Sequence, residues 1–105
     1  MTEQQPEITE QIKEDTEKKL EEPPMFKVVL YNDDFTTKAF VVEVLVLIFH
    51  KGAAEATELM WQVHRQGRGV AGVYPREVAE TKVATARTLA RENGFPLQLS
   101  MEPDH

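Results

Sequence analysis

Two adjacent prolines, Pro23 and Pro24, divide the 105-residue chain into parts of different character. A proline pair cannot continue a helix, so no helix is expected to cross this point. The segment before the pair holds eight acidic residues and three lysines, which accounts for −5 of the net charge of −6. It has no aromatic and few aliphatic residues, too little apolar surface to offset the entropy that ordering costs. We therefore expect a disordered acidic extension over residues 1–24 and one folded domain over residues 25–105.

Composition narrows the class of protein further. The folded segment has ten acidic and nine basic residues, so it lacks the excess positive charge on which nucleic-acid binding depends. The chain has no cysteine, which excludes disulfides and cysteine-ligated zinc. The apolar run at residues 40–49 is interrupted by Glu43 and is too short to cross a bilayer, and no apolar signal-peptide core precedes it. These features predict a cytoplasmic protein without a nucleic-acid or membrane partner.

A strand and a turn are expected to open the folded segment. Residues 26–31 are rich in β-branched and aromatic side chains and end at Asn32-Asp33-Asp34, a sequence typical of turns. Thr36 or Thr37 can then cap a helix that begins near Lys38.

The apolar run at residues 40–49 fits two structures. Its β-branched content favours a strand, whereas Phe40, Val44 and Leu47 have the spacing of one helical face. The pattern alone leaves both interpretations open. The sequence His50-Lys51-Gly52 ends the element in either case, because basic residues followed by glycine suit a helix C-terminus.

The remaining elements have clearer patterns of apolar spacing and of proline and glycine stops. They are a helix over residues 53–66, a strand over residues 70–74, a helix from Pro75 to Asn93-Gly94, and a strand over residues 97–101. With residues 40–49 as a helix, the order β-α-α-β-α-β predicts an α+β fold in which helices pack on a small sheet.

Asn32, Asp33, Asp34 and His64 are the residues that could hold a charged ligand. Each also has an ordinary interpretation, since turn carboxylates commonly accept hydrogen bonds from loop amides and a histidine near a helix end commonly interacts with the helix dipole. Considered together, a carboxylate, an amide oxygen and a neutral imidazole nitrogen are all hydrogen-bond acceptors. At the rim of an apolar pocket they would suit an ammonium group that lies beside one uncharged side chain.

No catalytic motif has comparable weight. The sequence has no glycine-rich phosphate loop, no HExxH and no serine in a strained elbow. A small hydrolase that uses Asp33 or Asp34 with His64 is the weakest of the functional interpretations, because the pair has no evident nucleophile beside it. We expect no enzymatic activity, no metal and no cofactor.

Short motifs follow one another in order between about Met25 and Met101: Tyr31-Asn32-Asp33-Asp34-Phe35-Thr36, Phe40-Val41, Ala56-Thr57-Glu58-Leu59-Met60, Val63-His64, Gln66-Gly67, Gly72-Val73-Tyr74 and Glu77-Val78-Ala79-Glu80-Thr81-Lys82-Val83. This series resembles the ClpS adaptor family. Each motif alone is common, but the combination at the family's spacing is specific. The resemblance implies a three-stranded antiparallel sheet packed with three helices, as in ClpS and the ribosomal stalk C-terminal domain, which makes residues 40–49 a helix.

The resemblance also implies a function without catalysis. ClpS proteins bind the first residue of an N-degron, usually Leu, Phe, Tyr or Trp, and deliver the substrate to the N-terminal domain of a ClpA-type AAA+ ATPase of the Clp protease. A protein of this kind is expected to be a monomer. The extension over residues 1–24 matches, by its position, the segment that the ATPase engages during delivery.

Individual positions of this sequence match the functional residues of the family. Those that match the α-amino-group site are Asn32, Asp33, Asp34 and His64. Those that match the hydrophobic pocket are Thr36, Lys38, Val41, Met60, Val63 and Leu97. Glu77 and Lys82 match the surface that docks on the ATPase.

Thr37-Lys38 departs from the family pattern, which usually has Pro-Met here. The methionine is a gatekeeper at the pocket mouth, whereas Lys38 can cover apolar surface with its stem and keep its ammonium in water. The preferred first residue is therefore open. An alternative of another class also stays open: a ribosome-stalk-like interaction domain would share the βααβαβ topology without binding N-degrons.

Overall fold

A computed structural model describes residues 23–105, and residues 1–22, with most of the predicted acidic extension, lie outside the described residues. The described part contains three strands and three helices in the order β-α-α-β-α-β. They are β1 (Met25–Tyr31), α1 (Lys38–Leu47), α2 (Ala53–Gln66), β2 (Arg68–Pro75), α3 (Arg76–Glu92) and β3 (Gln98–Pro103). The predicted α+β fold is confirmed.

The sheet has the strand order β2-β1-β3, and both pairs are antiparallel. Its central strand, β1, places Val28 and Leu30 in the apolar core that the helices cover. The register with β2 shifts by one residue between Val28 and Val29, so that Ala71 is the extra residue of a bulge and is fully buried. Because the first strand is central, the loop that follows Tyr31 leaves from the middle of the sheet.

Helix α1 resolves the ambiguous apolar run. Thr37 is its N-cap, and its hydroxyl accepts a hydrogen bond of 3.1 Å from the backbone N–H of Phe40. Residues on more than one side of the helix are buried or partly buried, so no polar face marks the helical period. They are Phe40, Val41, Val44 and Leu45, with Val42 and Val46 packed against the core.

Helices α2 and α3 follow the predicted pattern more closely. In α2, Ala56, Met60 and Val63 are buried, and the helix ends at Gly67, whose φ of 90° is accessible to glycine at little cost. The buried residues of α3 are those of its predicted inner stripe: Ala79, Val83, Ala86 and Ala90. No helix in the part of the chain that the structure describes is long and apolar enough to span a membrane.

Three local features differ from the sequence-based expectations. β2 begins at Arg68, two residues before the predicted strand over residues 70–74, because α2 ends at the single residue Gly67 and the chain continues directly into the sheet. The left-handed residue after α1 is His50, with φ of 56°, and Gly52 instead caps the start of α2. Pro75 ends β2 and is the N-cap of α3 rather than its first helical residue.

Candidate functional site

The loop between β1 and α1 is held by the carboxylate of Asp33. One oxygen accepts hydrogen bonds from the backbone N–H groups of Phe35 (2.8 Å) and Thr36 (2.6 Å), and the other accepts one from the Thr36 hydroxyl (2.6 Å). Burial on its own would raise the pKa of Asp33, but the hydrogen bonds from Thr36 and Phe35 outweigh it and hold that pKa below the ordinary value of 3.8. Asp33 therefore has the loop-stabilising role that is common for turn carboxylates.

A backbone hydrogen bond also fixes this loop against the end of α2. The backbone N–H of Asn32 donates to the carbonyl of Gly67 at 2.9 Å. Gly67 follows the last turn of α2, which carries His64. The bond therefore brings Asn32 and Asp34, at the end of one element, close to His64, at the end of another.

A cavity of about 270 Å³ lies between the loop, the start of α1 and the end of α2. This volume is smaller than the roughly 300–1,000 Å³ of pockets for drug-sized ligands, so it suits a single amino-acid side chain. The cavity is lined by Asn32, Asp33, Asp34, Thr36, Thr37, Lys38, Val41, Met60, Val63 and His64. All four residues predicted to hold an amino group, and five of the six predicted pocket residues, therefore line one cavity.

The cavity has one polar side and one apolar side. Val41, Met60 and Val63 form the apolar side and are only 7%, 6% and 2% exposed. On the polar side, neither the Asp34 carboxylate nor the His64 imidazole has a hydrogen-bond partner within residues 23–105. Asp34, whose oxygens accept no hydrogen bond from the described residues, differs in this from Asp33, whose oxygens are used by the loop. The arrangement can receive a cationic hydrogen-bond donor together with an apolar side chain.

Trp61 is a neighbour of the cavity that sequence reasoning missed. Its ring meets the His64 ring edge-on at a centroid distance of 5.8 Å. The ammonium of Lys38 lies 5.3 Å, and the guanidinium of Arg65 5.1 Å, from the Trp61 ring centroid. The spacing of Trp61 and Arg65, four residues apart on one helix, could have indicated this pair, but the contact with Lys38 needs the tertiary structure.

Leu97 is the predicted pocket residue that does not line this cavity. It is 6% exposed and packs in the core just before β3. There it lines a separate cavity of about 530 Å³ between α3 and β3, together with Arg87, Arg91 and Phe95. Leu97 thus belongs to the lining of this second cavity and not to the lining around Asp34.

The two residues predicted to dock on an ATPase have different environments on α3. Glu77 is exposed in the first turn and lines a shallow apolar groove with Pro23, Phe26 and Val78. Lys82 is half-buried, and its ammonium donates a hydrogen bond of 2.6 Å to the carbonyl of Ile48, at the end of α1. That ammonium also lies 5.1 Å from the Tyr74 ring centroid and 5.9 Å from that of Phe49. Lys82 thus joins α3 to α1 in addition to any docking role.

Comparison with known proteins finds similar chains that share one name. A chain from Desulforapulum autotrophicum is 49% identical over 100 residues, which cover 95% of this chain and 96% of that one. A chain from Desulfatibacillum aliphaticivorans is 57% identical over 86 residues, which cover 82% and 83% of the two chains. Both are named ATP-dependent Clp protease adapter protein ClpS.

A solved structure and a family model agree with these relatives. The structure of Agrobacterium tumefaciens ClpS2 bound to L-phenylalaninamide matches with a TM-score of 0.75 at 40% identity, covering 78% of this chain and 99% of that one. The family model described as ATP-dependent Clp protease adaptor protein ClpS matches residues 21–100. The match includes the whole loop around Asp33, the cavity and α3. This chain belongs to the ClpS family of ATP-dependent Clp protease adaptor proteins.

Proposed function

We propose that this chain binds the free N-terminal residue of a substrate protein, with Leu, Phe, Tyr or Trp in first position, and delivers the substrate to a ClpA-type AAA+ ATPase of the Clp protease. The observation that carries the proposal is the two-sided cavity of about 270 Å³. It combines acceptors on Asp34 and His64 that have no partner among residues 23–105 with an apolar wall of Val41, Met60 and Val63.

The acceptors select for a true N-terminus. An α-ammonium group is a cation with three hydrogen-bond donors, and each charge-assisted hydrogen bond it loses costs roughly 1.5–3 kcal/mol. An internal peptide N–H is neutral and offers one donor, so it cannot satisfy Asn32, Asp34 and His64 together. We assign the direct carboxylate contact to Asp34, because the oxygens of Asp33 are used by Thr36 and Phe35.

The apolar wall selects the first side chain. Full burial of a Leu- or Phe-sized side chain contributes roughly 1.5–3 kcal/mol. A charged first residue would lose its hydration in this wall without gaining a partner there, because Val41, Met60 and Val63 have no hydrogen-bond donor or strong acceptor. The ligand of the structurally similar ClpS2, L-phenylalaninamide, has the two features that this cavity is suited to accept: a free amino group and an apolar side chain.

Delivery would use a surface away from the cavity. Glu77, exposed beside the apolar groove at the start of α3, is the residue we place on the interface with the N-terminal domain of the ATPase. The acidic extension would be engaged by the ATPase during handover, as its position before residue 25 and the family membership suggest. In this mechanism the chain makes and breaks no covalent bond.

The proposal is tested by fluorescence anisotropy with matched peptides that differ only at the N-terminus. We expect a peptide beginning with Leu or Phe to bind, and its N-acetylated form and a peptide beginning with Asp to bind at least about a hundredfold more weakly, which corresponds to about 2.7 kcal/mol. Equal affinity for the free and acetylated peptides would refute N-degron binding. That result would favour an interaction domain of the ribosome-stalk type, and release of a hydrolysis product would favour an enzyme.

A further inference from the structure

Lys38, Trp61 and Arg65 form a cationic rim beside the mouth of the candidate cavity. Lys38 lines the cavity itself and extends from the first position of α1, whereas Trp61 and Arg65 belong to α2. The indole holds both cations, with Lys38 Nζ 5.3 Å and Arg65 Cζ 5.1 Å from its ring centroid. Two cations from different helices thus lie within 5.3 Å of the centroid of one aromatic ring beside the cavity.

Neither cation of this rim is neutralised by the described part of the chain. Among residues 23–105, no carboxylate lies within ion-pair distance of Lys38 or Arg65. Arg68, the next cation along the chain, is by contrast paired with Glu102 at 2.9 Å. The carboxylate of Glu58, one turn before Trp61 on α2, is exposed and makes no ion pair with any residue that the structure describes. The rim therefore has positive charge available for an external anion.

We propose that this rim binds the side chain of the second residue of the N-degron and favours Asp or Glu there, an inference that rests on the proposed function. If Asn32, Asp34 and His64 hold the α-amino group, the first α-carbon lies at the mouth of the cavity. The second α-carbon is then about 3.8 Å further on, which places its side chain at the rim rather than in the cavity. His64 connects the two sites, because it lines the cavity and its ring meets Trp61 at 5.8 Å.

Charge complementarity determines which second residue of the peptide increases the binding affinity most. A carboxylate can accept charge-assisted hydrogen bonds from the Lys38 ammonium or the Arg65 guanidinium and is attracted by the charge of both, whereas an amide of the same shape has one acceptor oxygen and no charge. Both cations are solvent-exposed, so the gain is modest and decreases with added salt. The rim consequently acts as a secondary filter on peptides that the cavity already accepts.

The test compares two peptides, Phe-Asp and Phe-Asn at their first two positions and otherwise identical, by fluorescence anisotropy with the full chain. The expected result is about two- to fivefold tighter binding of the Phe-Asp peptide at low salt, with the preference lost near about 0.5 M salt. Arg65→Gln should reduce the ratio of the two affinities. The matched control Arg91→Gln, the same change on α3 beside the cavity that contains Leu97, should leave the ratio unchanged.

A second measurement uses the intrinsic fluorescence of Trp61, the only tryptophan of the chain. Unlabelled Phe-Asp peptide should change the Trp61 emission more than Phe-Asn peptide does at saturation, because only the former draws Lys38 and Arg65 towards its carboxylate. Identical changes for the two peptides would oppose the proposal.

Three outcomes of the anisotropy test would overturn the inference. The first is equal affinity of the unaltered chain for the Phe-Asp and Phe-Asn peptides, and the second is a ratio of these affinities that Arg65→Gln leaves unchanged. The third is tighter binding of the Phe-Asn peptide by Arg65→Gln, which would mean that an acidic segment of the chain itself occupies the rim. The N-acetylated Phe-Asn peptide separates this inference from the proposed function. If it binds as well as the free peptide, N-degron binding fails; if it does not and the ratio is one, only the rim fails.

Discussion

Asp33 and Asp34 are adjacent in the sequence but have different environments. Asp33 accepts three hydrogen bonds from its own loop, while Asp34 lines the cavity with both oxygens unpaired in the described part of the chain. The sequence could not separate the two, because either carboxylate of an Asn-Asp-Asp turn can take the loop role. In the structure, the chain after Asp33 turns so that the Thr36 hydroxyl and the N–H groups of Phe35 and Thr36 all point to the Asp33 carboxylate. Asp34 therefore has no loop role of this kind.

We expect Asp34→Asn to weaken N-degron binding by roughly 10- to 150-fold, which corresponds to the loss of one charge-assisted hydrogen bond. The free energy of unfolding should stay within about 0.5 kcal/mol of the original value, as is usual for exposed positions. Asp33→Ala is the matched comparison, and it should destabilise the fold by about 1–2 kcal/mol through loss of its loop hydrogen bonds. Anisotropy and urea unfolding on both variants check this, and unchanged binding by Asp34→Asn would remove it from the amino-group site.

The lowered pKa of Asp33 predicts how its contribution to the free energy of unfolding depends on pH. Since the folded-state pKa lies below the ordinary value of 3.8, the ionised form stabilises the fold above that value, and this stabilisation is lost as the pH falls through the folded-state pKa. The difference in unfolding free energy between the original chain and Asp33→Ala should therefore be largest above the ordinary pKa of 3.8 and shrink as the pH falls below that value towards the folded-state pKa. A difference that stays constant with pH in urea titrations would contradict the hydrogen-bonded carboxylate.

Among the secondary-structure elements, α1 is the one whose type could not be predicted from the spacing of its apolar residues. Helices α2 and α3 each have one buried stripe and exposed polar residues, so their period is visible in the sequence. In α1, partly buried Val42 and Val46 join the fully buried residues, so the helical period is hidden by apolar residues that also favour strands. Only the family resemblance predicted the helix there. Nine of the ten residues assigned to the α-amino-group site and the pocket line the cavity. Leu97 does not, and Trp61 was not predicted, because both positions depend on the tertiary path of the chain.

The contact between α2 and β2 predicts a substitution that narrows the cavity. A Cβ at buried Gly69 would meet Val63 Cγ2 at 2.8 Å and Leu59 Cδ1 at 3.1 Å. Val63 lines the cavity and is β-branched, so it has few alternative rotamers with which to yield. Gly69→Ala should destabilise the fold by about 1–3 kcal/mol. It should also weaken binding of a peptide that begins with Trp more than one that begins with Leu.

Gly52→Ala is the matched control for this prediction, because nothing lies within 4 Å of a Cβ placed there and its φ is negative. It should leave both affinities unchanged. Equal losses for the Trp and Leu peptides with Gly69→Ala would show that the substitution acts through general destabilisation rather than through the position of Val63.

At the scale of the whole molecule, β1 separates the cavity from the proposed docking surface. Met25, at the start of β1, pairs with Pro75 beside the first turn of α3, and Tyr31, at its other end, leads into the cavity loop. Seven residues at about 3.3 Å each place the two ends of the strand roughly 20 Å apart. A substrate terminus can therefore occupy the cavity while another protein contacts the start of α3, which is the arrangement an adaptor needs.

This separation allows docking to be altered without altering the cavity, but Lys82 is unsuitable for the purpose. Its ammonium is bonded to the carbonyl of Ile48 and lies over Tyr74, so Lys82→Glu would disturb the junction of α1 and α3 as well as any interface. Loss of that charge-assisted bond alone costs roughly 1.5–3 kcal/mol. Weaker docking by a Lys82 variant would thus not distinguish a lost contact from a destabilised fold.

Glu77→Lys gives the cleaner test, because Glu77 is exposed and makes no ion pair within the described residues. Reversal of a charge in an interface costs several kcal/mol, so binding to the N-terminal domain of a ClpA-type ATPase should fall at least about tenfold. The N-degron affinity should change less than about twofold, since the cavity lies roughly 20 Å away.

Glu92→Lys makes the same change of charge about 22 Å along α3 and should leave docking intact. Calorimetric titration of each variant with the ATPase domain measures the docking affinity. Equal weakening by both substitutions would indicate a general effect of net charge. No weakening by Glu77→Lys would exclude Glu77 from the interface.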